Sequence, residues 1–212
     1  MASVWFHSAL WLGLAFLASL ISIRVAISVA LIEIVLGAVA GNLVGLQITD
    51  WVNFLAGFGA ILLTFLAEHE LPHRMRIIAF SILTPFYFLK AGSLVEAHAV
   101  AQSVVLISIF LAIKMATKFI GILPLTVYHE FDRREGMYTT LLMSTGLTFG
   151  SISALFGLSN RIIDQTQYTI LVTAVIGSAV IPTLIAQRWF QPELKTLEPD
   201  AIEAEAVAGE GP

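Results

Sequence analysis

Long apolar runs alternate along this chain with short polar joints, and the run lengths decide what the runs are. Crossing about 30 Å of hydrocarbon takes a helix of roughly 20 mainly apolar residues. Seven runs fit that requirement: 5–23, 25–46, 51–67, 77–95, 99–127, 137–158 and 168–187. No Lys or Arg precedes the first, and it is too long for the apolar segment of a leader, so it reads as a span rather than a signal peptide. A charged joint from Glu68 to Arg76 separates the third run from the fourth, and a hydrophilic loop over 129–135 separates the fifth from the sixth. The short alternating segments of an outer-membrane barrel are absent from the sequence. The pattern predicts an all-α fold, a polytopic transmembrane helix bundle of about seven helices over 1–190. Residues 191–212, acidic and poor in large apolar groups, read as a disordered cytoplasmic tail.

Composition sharpens this picture. Hydrophobic residues make up 58% of the chain and charged residues 12%, with a mean hydropathy of +0.88. A soluble domain carries about 25% charged residues, so the excess apolar surface must face lipid, and the bilayer is the first partner. The net charge of -4 arises largely in the tail, and no basic stretch suggests nucleic acid. Cysteine is absent, which excludes disulfides and thiolate metal sites. Phosphate loops, nucleophile elbows and zinc motifs are also missing, so neither enzymatic chemistry nor a cofactor is implied. With the N-terminus outside, seven Lys and Arg residues fall on the cytoplasmic side (Arg24, Arg74, Arg76, Arg133, Arg134, Arg188, Lys195) against two outside, Lys90 and Arg161. By the positive-inside rule this puts the C-terminus in the cytoplasm.

Ionisable groups within spans carry an insertion penalty of at least about 2.5 kcal/mol each and mark function by default. Three lie deep here: Glu33, Lys114 and Lys118. The lysines stand four apart, so they share a helix face, and two ammonium groups on one dry face repel each other. A carboxylate or water must meet them, and Glu33 is the acid available. The functional reading is a proton or cation pathway; the bland one is a snorkelling lysine or a structural ion pair. Small residues give a second signal. Gly37, Gly41 and Gly45 form a stripe that permits close helix approach. Around Gly146 and Gly150, the residues Ser144, Thr145, Thr148, Ser151 and Ser153 have the composition of a helix that loosens in the membrane. Pro85 beside Thr84 can kink the fourth helix or simply be tolerated there. The histidines have no metal-ligand spacing, and Glu68-His69-Glu70 reads as a solvated loop.

Several segments, taken in order, resemble a known family. Leu31-Ile-Glu-Ile-Val-Leu-Gly-Ala-Val-Ala-Gly41 and 58–67 look like its second and third helices. Phe80-Ser-Ile-Leu-Thr-Pro-Phe-Tyr-Phe-Leu-Lys-Ala-Gly-Ser-Leu-Val95 looks like its phenylalanine-rich helix, and Ala112-Ile-Lys-Met-Ala-Thr-Lys-Phe-Ile-Gly121 like the lysine-bearing helix that follows. Residues 143–158 and 168–183 look like the closing pair. The family is the monovalent cation:proton antiporter-2 family, whose members carry a sodium/hydrogen exchanger domain. The resemblance implies secondary-active exchange of Na⁺ or K⁺ for H⁺ in a bacterial cytoplasmic membrane. It places the family's characteristic lysine on Lys118, makes Lys114 an additional one and gives Glu33 a structural cast. Family members interpose several further helices after the third, including an unwound crossing helix and a neighbour with an acidic pair. Here Ala67 passes almost directly into the late helices, and no Asp-Asp or Asn-Asp pair lies in any span. The chain thus resembles an internally shortened member, with the deletion near 67–72. Removing an even number of helices keeps each remaining one in its original direction. Two expectations follow: an antiporter in which Glu33 serves as the acid, in a homodimer, or a non-transporting relative that pairs with an intact antiporter. A seven-helix retinal pump is excluded, since 168–187 contains no lysine.

Overall fold

The computed structural model describes residues 2–25, 27–46, 48–68 and 84–192. Among them the chain forms α1 (Ala2–Val25), α2 (Val29–Val44), α3 (Asp50–Glu68), α4 (Thr84–Ser93), α5 (Ala97–Gln102), α6 (Val104–Tyr128), α7 (Arg133–Met143), α8 (Leu147–Ser159) and α9 (Gln165–Ile185). A π-helical turn, Ala186–Phe190, extends α9. The described residues contain no strand. Among the described residues four stretches are long and apolar enough to cross a membrane: Phe6–Val25, Val104–Tyr128, Arg133–Ser159 and Gln165–Phe190. Val29–Val44 and Asp50–Leu63 are shorter apolar helices. Helices satisfy their own backbone groups, which is why lipid tolerates them and little else.

The predicted runs map onto these elements in order, with two splits. The run 99–127 would measure about 44 Å as one helix at 1.5 Å per residue, more than the hydrocarbon needs. It divides at Ser103, whose N–H bonds back to the carbonyls of Ala99 and Val100. The run 137–158 divides at 144–146. The joint over 69–76, the histidines His69 and His73, the start of the fourth run and the tail from 193 lie outside the described residues.

The short helix α4 sits at the centre, with eight of its ten residues buried. It packs against α1, α2, α3 and α8. Against α2 the contact is backbone to backbone: Gly37 lies over Leu89 and Gly41 over Ser93, while Gly92 lies over Ile34. The steps from Gly37–Leu89 to Gly41–Ser93 and on to Asn42–Val95 advance together, so α2 and α4 run parallel. Gly45, the third member of the predicted stripe, is used differently. It ends α2 at φ 63°, a left-handed conformation that suits glycine. Two apolar clusters flank α4. One joins Ile34, Tyr87, Phe88, Leu155, Tyr168 and Val172, and the other Trp11, Val52, Phe86 and Leu89.

Hydrogen bonds tie the corner after α4 to two neighbours. Asn42 Nδ2 donates to Val95 O at 2.6 Å, and Ala97 N donates to Asn42 Oδ1 at 2.9 Å. From α9, Tyr168 Oη donates to Ala91 O at 2.7 Å and Gln165 Nε2 donates to Leu94 O. Helix α9 opens on a capping box, in which Asp164 Oδ1 accepts from Gln167 N at 2.8 Å and Gln167 Oε1 accepts from Asp164 N at 3.0 Å.

Candidate functional site

Helix α7 stops at Met143 and α8 starts at Leu147, leaving 144–146 as a break inside one apolar stretch long enough to span. The sequence explains why it loosens there. Ser144 Oγ donates to Thr140 O at 2.8 Å and Thr145 Oγ1 donates to Leu142 O at 2.8 Å, so the hydroxyls take up carbonyls of the last turn. Gly146, at φ -165° and ψ 43°, leaves the helical region, and the ladder resumes with Gly150 N on Gly146 O at 3.1 Å. The carbonyl end of α7 and the N–H end of α8 therefore both present partial charges to the break.

Lys114 reaches this place from α6. Its Nζ donates to Ser178 Oγ at 2.6 Å, and Ser178 Oγ in turn donates to Val175 O at 2.7 Å, which turns an oxygen lone pair towards the ammonium. A Cβ added to Gly146 would lie 3.3 Å from Lys114 Nζ, so the lysine rests against the glycine of the break. Helices α6 and α9, together with the α7–α8 break, thus converge on one half-buried cation. Ser178 was singled out by no sequence argument. Its signal is a serine in the apolar run of α9, and only the fold brings it opposite Lys114.

Lys118 does not share this position. It is exposed on α6. Four residues are 1.1 turns, so it is rotated by about 40° from Lys114 and lies about 6 Å further along the helix, enough to leave the groove. Glu33 is buried to 1% exposure, and its Oε2 has no hydrogen-bond partner. It lies on α2, which packs on α1 and α4, whereas α6 packs on α9, α7 and α5. The expected meeting of Glu33 with the lysines does not occur within the chain. The acid and the lysines expected to meet lie in different helix groups.

A family model described as "Sodium/hydrogen exchanger, transmembrane" matches residues 58–191, well over half of the chain. The chain belongs to the sodium/hydrogen exchanger family. The match runs from within α3 to the residue after the π turn. It takes in Lys114, Lys118, Ser178 and the break, and excludes α1, α2 and Glu33. Comparison with curated proteins and with solved structures finds no match. Membership accords with the apolar spans, and it brings cation and proton exchange to the chain as its general chemistry.

Proposed function

We propose that this sodium/hydrogen exchanger family member is a secondary-active antiporter that moves Na⁺ or K⁺ against H⁺, with Lys114 carrying the charge that alternates. The observation behind this reading is the seating of Lys114 Nζ on Ser178 Oγ, against the glycine of a broken transmembrane helix. Half-helix ends at membrane depth offer carbonyl dipoles to a cation without a full hydration shell. Lys114 stands beside that field, held on Ser178 Oγ. When it releases its proton, an incoming cation takes its place, and the two alternate because both charges together would repel at short range. Lys118, exposed on the same helix, is the lesser candidate, and Glu33 supports helix packing. We place the chain in a bacterial cytoplasmic membrane by its resemblance to the antiporters, and its N-terminus outside on the seven-to-two asymmetry of Lys and Arg.

One observation favours a second reading. Among the described residues no carboxylate meets Lys114, and Glu33, at 1% exposure, is closed off from a second copy as well as from its own lysines. A chain of this kind that does not transport would act as a membrane partner of an intact antiporter. Cation-driven proton flux in proteoliposomes decides between the two. Addition of Na⁺ or K⁺ should collapse a preset pH gradient, Lys114→Ala should slow that response about tenfold or more, and Lys118→Ala should leave most of it. A wild-type chain without any response to Na⁺, K⁺ or Li⁺ leaves the non-transporting reading. Flux that survives Lys114→Ala but not Lys118→Ala overturns the assignment of the lysines.

A further inference from the structure

Away from the break, a groove of about 560 Å³ opens on the side of the bundle between α3, α4 and α8. Gly57 and Ile61 line one wall, Phe156 and Ser159 the other, Tyr87 forms part of its floor, and Lys90 stands in it as the one charged residue among the described residues. Ile61 and Phe156 are exposed to 67% and 62%, so the groove opens sideways, towards where acyl chains run. A volume of this size is in the range of sites that hold small ligands. Its surface is almost entirely apolar, which fits a hydrocarbon chain and no hydrated solute.

Lys90 gives the groove its chemistry. It is half-buried, and among the described residues its ammonium meets neither a carboxylate nor a hydrogen-bond acceptor. It stands three residues before the end of α4, about 5 Å from the helix terminus. A lysine at that depth extends its head to the interface while its stem lies along apolar surface. One cation at headgroup depth above an apolar slot matches an anion carried on a hydrocarbon chain. We propose that this groove binds one acyl chain of an anionic phospholipid, with the lipid phosphate on Lys90.

The test uses the full chain, delipidated in detergent and offered dimyristoylphosphatidylglycerol or dimyristoylphosphatidylcholine, with retained lipid read by native mass spectrometry. One Lys near the surface contributes about a fivefold preference for anionic over neutral lipid. Wild type should retain the anionic lipid by that factor, Lys90→Gln should erase the preference, and Lys90→Arg should keep it. Gly57→Phe fills the slot. A Cβ there meets nothing within 4 Å, so the side chain starts into open space and should lower retention of both lipids. Unchanged circular dichroism checks that each variant is folded. Equal retention of the two lipids, or a preference indifferent to Lys90→Gln, overturns the proposal. Two further results also overturn it: added myristate displacing the phospholipid assigns the groove to free fatty acids, and a change of oligomeric state in Gly57→Phe assigns it to a second copy of the chain.

Discussion

The contact between α2 and α4 makes a sharp quantitative demand, because it has no side-chain cushion. A methyl group at residue 37 would stand 2.9 Å from the carbonyl carbon of Leu89 and 3.0 Å from its Cα, and closer still to the carbonyl oxygen. One at residue 92 would stand 2.7 Å from the carbonyl carbon of Ile34 and 2.9 Å from Ala38 N. Carbon atoms rest at about 3.5–4.0 Å, so each substitution must push two helix backbones apart by roughly 0.6 to 1 Å. Overpacking of this kind costs about 1–3 kcal/mol. Rigid backbone on both sides places it near the top of that range, while the better helix propensity of alanine returns at most about 1 kcal/mol. Gly37→Ala and Gly92→Ala should therefore each lose about 2 kcal/mol. Gly121→Ala, on α6, is the internal control: a Cβ there meets nothing within 4 Å, so only the propensity gain remains and its sign is opposite. Reversible unfolding of the purified protein in mixed micelles, followed by far-UV circular dichroism, measures all three. A Gly37→Ala variant as stable as Gly121→Ala would refute the close approach of the two helices.

Two smaller effects follow from single hydrogen bonds. Asp164→Ala removes the cap of α9 and should lower stability by about 1 kcal/mol, with Asp164→Asn keeping most of it; the same unfolding assay reads the difference. Tyr168→Phe deletes the 2.7 Å bond to Ala91 O and leaves a buried carbonyl short of a partner, a loss of about 1–2 kcal/mol that should appear as faster amide exchange around 91–97.

Much of the helix architecture can be read from the sequence, because lipid makes length and apolarity nearly sufficient criteria. The small-residue signals were also legible. Gly37 and Gly41 do meet a helix backbone, and the cluster of Ser144, Thr145 and Gly146 does interrupt its helix. The placement of the charges was not. Spacing puts Lys114 and Lys118 on one face, but only the position of α9, with Ser178 upon it, draws one lysine inward and leaves the other outside. Glu33 was paired with them by elimination, as the acid deep in a span. Its actual surroundings depend on which helix α2 packs against, a tertiary choice made by Gly37, Gly41 and Gly92. Gly45 shows the same limit at smaller scale: a four-residue step does not distinguish a packing glycine from one that ends a helix.

The hydrogen bonds around Ala91, Leu94 and Val95 have a mechanical consequence. Asn42 clasps that corner from α2 and Tyr168 clasps it from α9. The bond from Tyr168 is buried, so water does not readily replace it once it is broken. Sliding α4 past either neighbour is therefore expensive, and the three helices should travel as a single lever. Helix α6 has one buried residue, Thr126, along its whole length. Any swing between inward-open and outward-open shapes would then turn on the seam between that lever and α6, where Lys114 stands.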